Sequence, residues 1–253
     1  MVYDVNRLRS MLPHKISILK VFNEIDSTSS EARRYSADGG SSAALFLADR
    51  QSGGRGRVGR SFYSPSGAGI YMSLLLSAPE NASDLVLLTS AAAVAVRRAI
   101  LKVTGKETDI KWVNDLYFNG KKVCGILCEY LSEQRQMIIG VGINLYPSEF
   151  PKDIADTAGA LLNTRSDDQT REALTATVAG ELLSITDVLK DGGFMNEYRE
   201  NSAILGKEIR YIQNGVSLSG VATHIDERGY LHVRDAEGEI HILSSGEISV
   251  RFN

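Results

Sequence analysis

The octapeptide GGRGRVGR, residues 53–60, sets four glycines and three arginines between two apolar runs, ALFLA before it and IYMSLLL after it. Three guanidinium groups cannot be buried together, and four glycines do not hold a regular element. The segment must therefore be a loop joining two core segments. Glycine lets the backbone approach a ligand closely and bare its N–H groups, and each arginine offers a planar fork of donors suited to phosphate or carboxylate. In an extended segment Arg55 and Arg57, two apart, project to one side. The stretch reads as a clamp for a polyanion, the alternative being a solvated surface loop.

By letter, Gly54–Gly59 also fits the glycine fingerprint of dinucleotide folds. That fingerprint must open a helix, and here RSFYSPSGAGIY follows, which is turn and strand. The companion motifs of protein kinases and the phosphate loop of P-loop proteins are absent from the sequence. The cationic loop belongs to a chain of 253 residues with net charge −3 and a pI near 5.9. A general nucleic-acid binder would carry a broader positive surface. The two cysteines, Cys124 and Cys128, lack the second pair that a zinc site needs and read as ordinary thiols. No apolar run reaches the ~18 residues of a membrane span, and the N-terminus shows no secretory pattern, so the expected setting is soluble and cytoplasmic.

Hydrophobic periodicity lays out the rest. Thr28 and Glu31 fit a capping box that starts a helix ending at Gly39-Gly40. SAALFLA, GIYMSLLL, DIKWV and QMIIGVGINL read as strands, and SDLVLLTSAAAVAVRRAILKVTG as a helix with Ser83 as N-cap and Gly105 at its end. Asn119-Gly120 between apolar runs marks a hairpin. Helices are expected over about 170–190 and 194–202. From Gly206 onward short alternating runs break at Asn214-Gly215, Arg228-Gly229 and Glu237-Gly238, the pattern of a small antiparallel barrel or sandwich. A domain boundary is placed accordingly, with residues 1–203 in one unit and 204–253 in the next.

A second cluster lies in KWVNDLYFNGKKVCGIL, residues 111–127. Asp115 and Lys122, seven apart, are brought to one mouth by chain reversal at Asn119-Gly120. A lysine there places a charge on a phosphate or oxyanion, and a carboxylate beside it orients or deprotonates an amine. Each residue taken singly also fits ordinary surface decoration.

Together, DSTSSEA, QSGGRGRVGRSFYSPSGAGIYMSLLL, KWVNDLYFNGKKVCGIL, GVGINL and the terminal GEISVR resemble the biotin protein ligases along almost the whole chain. The resemblance implies a mixed α/β catalytic domain of the biotin/lipoate ligase type followed by a small SH3-like β-barrel. It implies an enzyme that makes biotinyl-AMP from biotin and MgATP and transfers biotin to a lysine of a biotin carboxyl carrier domain. ATP and Mg2+ are the expected cofactors, with no metal ligands assigned. Under this resemblance Ser27, Thr28 and Gln51 meet the ureido end of biotin, with capping as the alternative for the two hydroxyls. Gly54, Arg55, Gly56 and Arg57 close over ligand and phosphate, Lys122 neutralises the biotin carboxylate and α-phosphate, and Gly125 leaves room for the ligand. Asp115 meets the incoming lysine amine. Asn114 and Asn144 serve the nucleotide region or a turn, and Trp112 flanks the pocket or sits in the core.

Two departures stand out. Val113 occupies the proline position of K-W-P-N-D, where proline would stiffen the turn. About twenty residues precede NEIDST, too few for the DNA-binding helix-turn-helix of repressor-type relatives, so no specific DNA binding is expected. A homodimer is compatible with the fold. A lipoate or octanoate ligase or transferase is the nearest alternative, and a non-catalytic biotin-binding regulator the alternative of another class.

Overall fold

The computed structural model describes residues 3–40, 43–79, 85–165, 169–213, 216–244 and 248–250. Seven strands, β1 (Ile18–Ile25), β2 (Ala44–Gln51), β3 (Gly69–Ser77), β4 (Asp109–Lys111), β5 (Asp115–Phe118), β6 (Lys121–Leu131) and β7 (Gln136–Asn144), form one sheet in the order β1-β2-β3-β7-β6-β5-β4. Only β1 and β2 pair in parallel; the other neighbours are antiparallel. The helices are α1 (Val5–Met11), α2 (Thr28–Ala37), α3 (Leu85–Thr104), α4 (Thr170–Leu183), α5 (Ile185–Asp191) and α6 (Phe194–Glu200).

Strand alternation divides the sheet into two faces. Ile70, Met72 and Leu74 of β3 and Ile139, Val141 and Ile143 of β7 join the main core with the buried side of α3, where Ala91, Ala92 and Ala99 let the helix lie close. Intervening residues turn the other way, and there α2 covers a smaller cluster around Phe46, Leu75 and Ile138. The remainder of that second face holds the candidate site.

Several expected features appear where chemistry demanded them. Asn119 and Gly120 both take positive φ, 51° and 72°, closing the β5–β6 hairpin. Gly105 stops α3 at φ +67°. The proposed caps fared differently. Ser83 lies outside the described residues, as does Asn214-Gly215. The Thr28–Glu31 capping box does not form: Ser27 is the N-cap of α2 and its side chain makes no capping bond. Glu31 instead takes Lys20 and Arg34, at 3.2 and 3.0 Å. The helix expected over about 170–190 is two helices, interrupted at Ser184.

The C-terminal strands β8 (Glu208–Gln213), β9 (Val216–Ile225), β10 (Leu231–Arg234), β11 (Ile240–Leu243) and β12 (Ile248–Val250) form an antiparallel sheet in the order β11-β10-β9-β8-β12. Among the described residues β11 and β12 do not pair, so the sheet is open and the expected barrel closure is not observed. Its buried residues, Ile209, Tyr211, Leu231 and Val233 among them, belong to the same contiguous cluster as the core of the large sheet.

The sequence D-x-x-G-x-x-H occurs twice, at 226–232 and 235–241, and shapes two successive turns alike. In the first, Asp226 Oδ1 accepts the N–H groups of Arg228 and Tyr230, and Oδ2 meets His232 Nε2 at 3.1 Å. In the second, Asp235 Oδ1 accepts the Glu239 N–H and Oδ2 meets His241 Nε2 at 2.6 Å.

Candidate active site

On the open face of the large sheet lies a cavity of about 370 Å³, a size suited to a small molecule. Its floor is bare main chain. Gly142 of β7 sits in register with Gly125 of β6 on one side and Tyr71 of β3 on the other, and Gly125 in turn with Asp115 of β5. Gly140 lies one step further along β7. The Phe62 ring covers this floor: a Cβ on Gly142 would come within 2.5 Å of it, and one on Gly125 within 3.2 Å.

A polar chain lines one side. Thr28 donates its N–H and its hydroxyl to Gln51 Oε1, at 2.8 and 3.1 Å. Because a hydroxyl has one proton, Ser73 must donate to Thr28 across 2.8 Å, and Ser29 to Ser73 across 2.9 Å. Gln51 Nε2 donates to Ser64 Oγ at 2.9 Å. The hydroxyl protons of Ser29, Ser73 and Thr28 are thereby directed toward Gln51, which passes the run on to Ser64. Ser27, buried, lines the cavity beside this chain.

Across the glycine floor stands the ion pair Lys122–Asp115, with Nζ 2.7 Å from Oδ1. The hairpin reversal does bring these residues together. Asn114 is tied down, donating from Nδ2 to the Ile126 carbonyl at 2.9 Å while its own carbonyl accepts the Ile126 N–H. Trp112 is both core and wall: it is buried in the main cluster, lines the cavity, and donates from Nε1 to the Gly229 carbonyl at 2.8 Å. The Trp112–Val113 peptide is cis, and Tyr198 donates its hydroxyl to the Val113 carbonyl at 3.1 Å. The turn that proline would have stiffened is thus held by hydrogen bonds from outside it.

The Gly-Arg loop folds over the cavity as a short flap. Phe62 N–H bonds the Gly54 carbonyl at 2.9 Å and Gly56 N–H the Arg60 carbonyl at 2.7 Å. The chain is not extended through both arginines. A 3-10 turn begins at Arg57, yet both side chains line the one cavity. Arg55 reaches Glu129 at 3.0 Å. Arg57 is half-buried; desolvation pulls its guanidinium below the ordinary arginine value, and the nearby Asp115 charge works against that. Lys111 is likewise lowered, first by burial and then by Lys122 and Arg60, with Asp115 opposing. Arginine remains charged throughout.

Of the expected residues, Ser27, Thr28, Gln51, Arg55, Gly56 and Arg57 line the cavity, as do Asn114, Asp115, Lys122 and Gly125. Gly54 and Asn144 do not. A Cβ on Gly54 would collide with the Phe62 carbonyl, so this glycine lets the flap fold on itself. Asn144 is buried behind the wall, its Nδ2 3.5 Å from the Lys122 carbonyl.

The family model for the biotin/lipoate A/B protein ligase family matches residues 22–144, and that for the biotin protein ligase C terminal domain matches residues 204–251. The chain belongs to the biotin protein ligase family. It is 40% identical over 142 residues to the bifunctional ligase/repressor BirA of Bacillus subtilis, a match covering 54% of this chain and 44% of that protein. The chain thus spans under half the length of that relative. It is 27% identical to the biotin--[acetyl-CoA-carboxylase] ligase of Mycobacterium tuberculosis, over 91% of this chain and 88% of that one. A solved biotin protein ligase from Aquifex aeolicus, in complex with biotin and ATP, superimposes with a TM-score of 0.78 at 29% identity, covering 94% of this chain and all of that one.

Some members of this site were not singled out from sequence. Gly140 and Gly142 carry a readable signal, since two glycines two apart in a strand bare one face of it. Phe62, Ser73 and Glu129 carry none: their roles come from strand register and flap folding, which bring together residues distant in sequence.

Proposed function

We propose that the chain is an ATP-dependent ligase in which the biotin carboxylate attacks the α-phosphate of MgATP and displaces pyrophosphate, and a lysine amine of a carboxyl carrier domain then attacks the biotinyl carbonyl of biotinyl-AMP and displaces AMP. The observation that carries this reading is the charge of the cavity. Five cations, Arg55, Arg57, Arg60, Lys111 and Lys122, line it against one carboxylate, Asp115. Such a site favours a polyanion, and it does so within a chain of net charge −3.

In this reading Ser27, Thr28 and Gln51 engage the ureido group, and the floor of Gly125 and Gly142 receives the ring system beside Phe62. Arg55 and Arg57 cover the triphosphate and later the adenylate, keeping water from the mixed anhydride. Lys122 stabilises charge on carboxylate and phosphate as they join. Its pairing with Asp115 gives the two steps an order. Once Lys122 turns to the phosphate, Asp115 is released to accept a proton from the incoming lysine, whose free pKa near 10.4 requires that loss before attack. Magnesium bound with the nucleotide would be held chiefly by phosphate oxygens and would offset their charge. Among the described residues no group of three or more His, Cys, Asp or Glu gathers to hold a metal independently. Residues 1–203 act as the catalytic unit and 204–253 as the SH3-like unit beside it, and β1, at the end of the large sheet, offers an edge for homodimer pairing.

The test is mass spectrometry of the protein with MgATP and, separately, biotin, lipoate or octanoate, followed by an unmodified carrier domain. Biotinyl-AMP that disappears as the carrier gains one biotin is the expected result. An adenylate only with lipoate or octanoate moves the chain to that branch of the family, and no adenylate with any of the three refutes ligase activity.

A further inference from the structure

Glu129 of β6 is only 13% exposed at its side chain and carries two arginines, Arg33 of α2 at 2.7 Å and Arg55 of the flap, which lines the cavity, at 3.0 Å. The flap is drawn together by its own bonds, Gly54 to Phe62 and Gly56 to Arg60, and rests on the sheet through the Phe62 ring. Through Arg55, Glu129 adds a charged tie between the flap and the body of the protein.

We propose that Glu129 is a positioning residue for the flap, a latch that Arg33 makes reversible. The argument turns on what opening leaves behind. A nearly buried carboxylate stripped of its partner is costly, and a latch with a single arginine would resist opening for that reason. Here Arg33 stays on Glu129 when Arg55 leaves, so the carboxylate is never bare. Arg33 also repels Arg55 across the shared acid, which favours release further. Two arginines on one carboxylate leave this cluster net positive, so the latch does not cancel the attraction for an anionic ligand. Arg55 is then free to exchange Glu129 for phosphate as substrate enters. This role rests on the ligase reading for its purpose, but not for its physical test.

Hydrogen exchange of residues 54–62 in the ligand-free protein separates the two. Glu129→Gln, which keeps shape and removes charge, is expected to speed exchange in the flap about fivefold. Arg33→Ala is expected to slow it, because opening would then strand Glu129. General loosening of the fold would speed both variants alike, and exchange in the interior of β7 serves as the control for folding. Flap exchange in Glu129→Gln no faster than wild type, or in Arg33→Ala no slower, overturns the latch. Because no ligand is used, this outcome stands apart from any failure to form biotinyl-AMP.

Discussion

The indole Nε1 of Trp112 donates to the main-chain carbonyl of Gly229 at 2.8 Å, joining the wall of the cavity to the β9–β10 turn of the C-terminal sheet. The turn packs where a Cβ on Gly229 would come within 3.0 Å of Val86 and 3.3 Å of Ser90 on α3. Trp112→Phe keeps an aromatic ring but removes the donor along with the pyrrole half of the indole, leaving a buried carbonyl without that partner. It should cost about 1–3 kcal/mol in urea unfolding, whereas a loss within error would show that the turn relaxes onto water.

Lys122 and Asp115 should separate the two half-reactions. Lys122→Ala is expected to lower biotinyl-AMP formation by roughly 10²–10³-fold, the size typical of removing one electrostatic stabiliser. Asp115→Asn should leave adenylate formation closer to normal and slow transfer to the carrier. Single-turnover measurements with purified adenylate read the second step alone. Equal losses in both steps for Asp115→Asn would refute its assignment to the amine.

Gly142→Ala should place a methyl group against the Phe62 ring, 2.5 Å from its nearest carbon before adjustment. Biotin binding is expected to fall more than stability does, because the ring must tilt into the cavity. Adding Phe62→Ala should restore space, so a double-mutant cycle in calorimetric biotin titration would show strong coupling. Additive losses would place the effect elsewhere.

Acid should act on the turn beneath Trp112. Burial works to raise the Asp226 pKa, but the N–H groups of Tyr230 and Arg228 and the His232 ring outweigh it, and the net shift is below the ordinary 3.8. A carboxyl lowered on folding adds stability above its unfolded pKa and loses it as pH falls through the folded one. Asp226→Asn should therefore be less stable than wild type at pH 6, and the gap should narrow as pH drops below 3.8. A gap independent of pH would remove the charge from the explanation.

How much of this was legible in sequence depended on how local the cause was. Asn119-Gly120, Gly105 and the flap announce themselves because glycine and asparagine occupy backbone conformations others avoid. The Asp115–Lys122 pair followed from that hairpin. Thr28 misled because a capping box and a binding wall begin with the same hydroxyl; only the register of β3 shows that Ser73 claims it. The pairing of Arg55 with Glu129 was hidden for a like reason, since Glu129 lies 74 positions from Arg55 along the chain. The repeated D-x-x-G-x-x-H turns needed no tertiary partner and could have been found from spacing alone.

The glycine floor bears on how such a pocket changes over generations. Where a wall is made of side chains, a point mutation can trim it and admit a bulkier ligand. Gly125, Gly140 and Gly142 have nothing left to trim, so every substitution among them adds atoms. Variation there moves in one direction, toward a shallower pocket and a slimmer guest, while any widening must come from the movable residues above, Phe62 first among them.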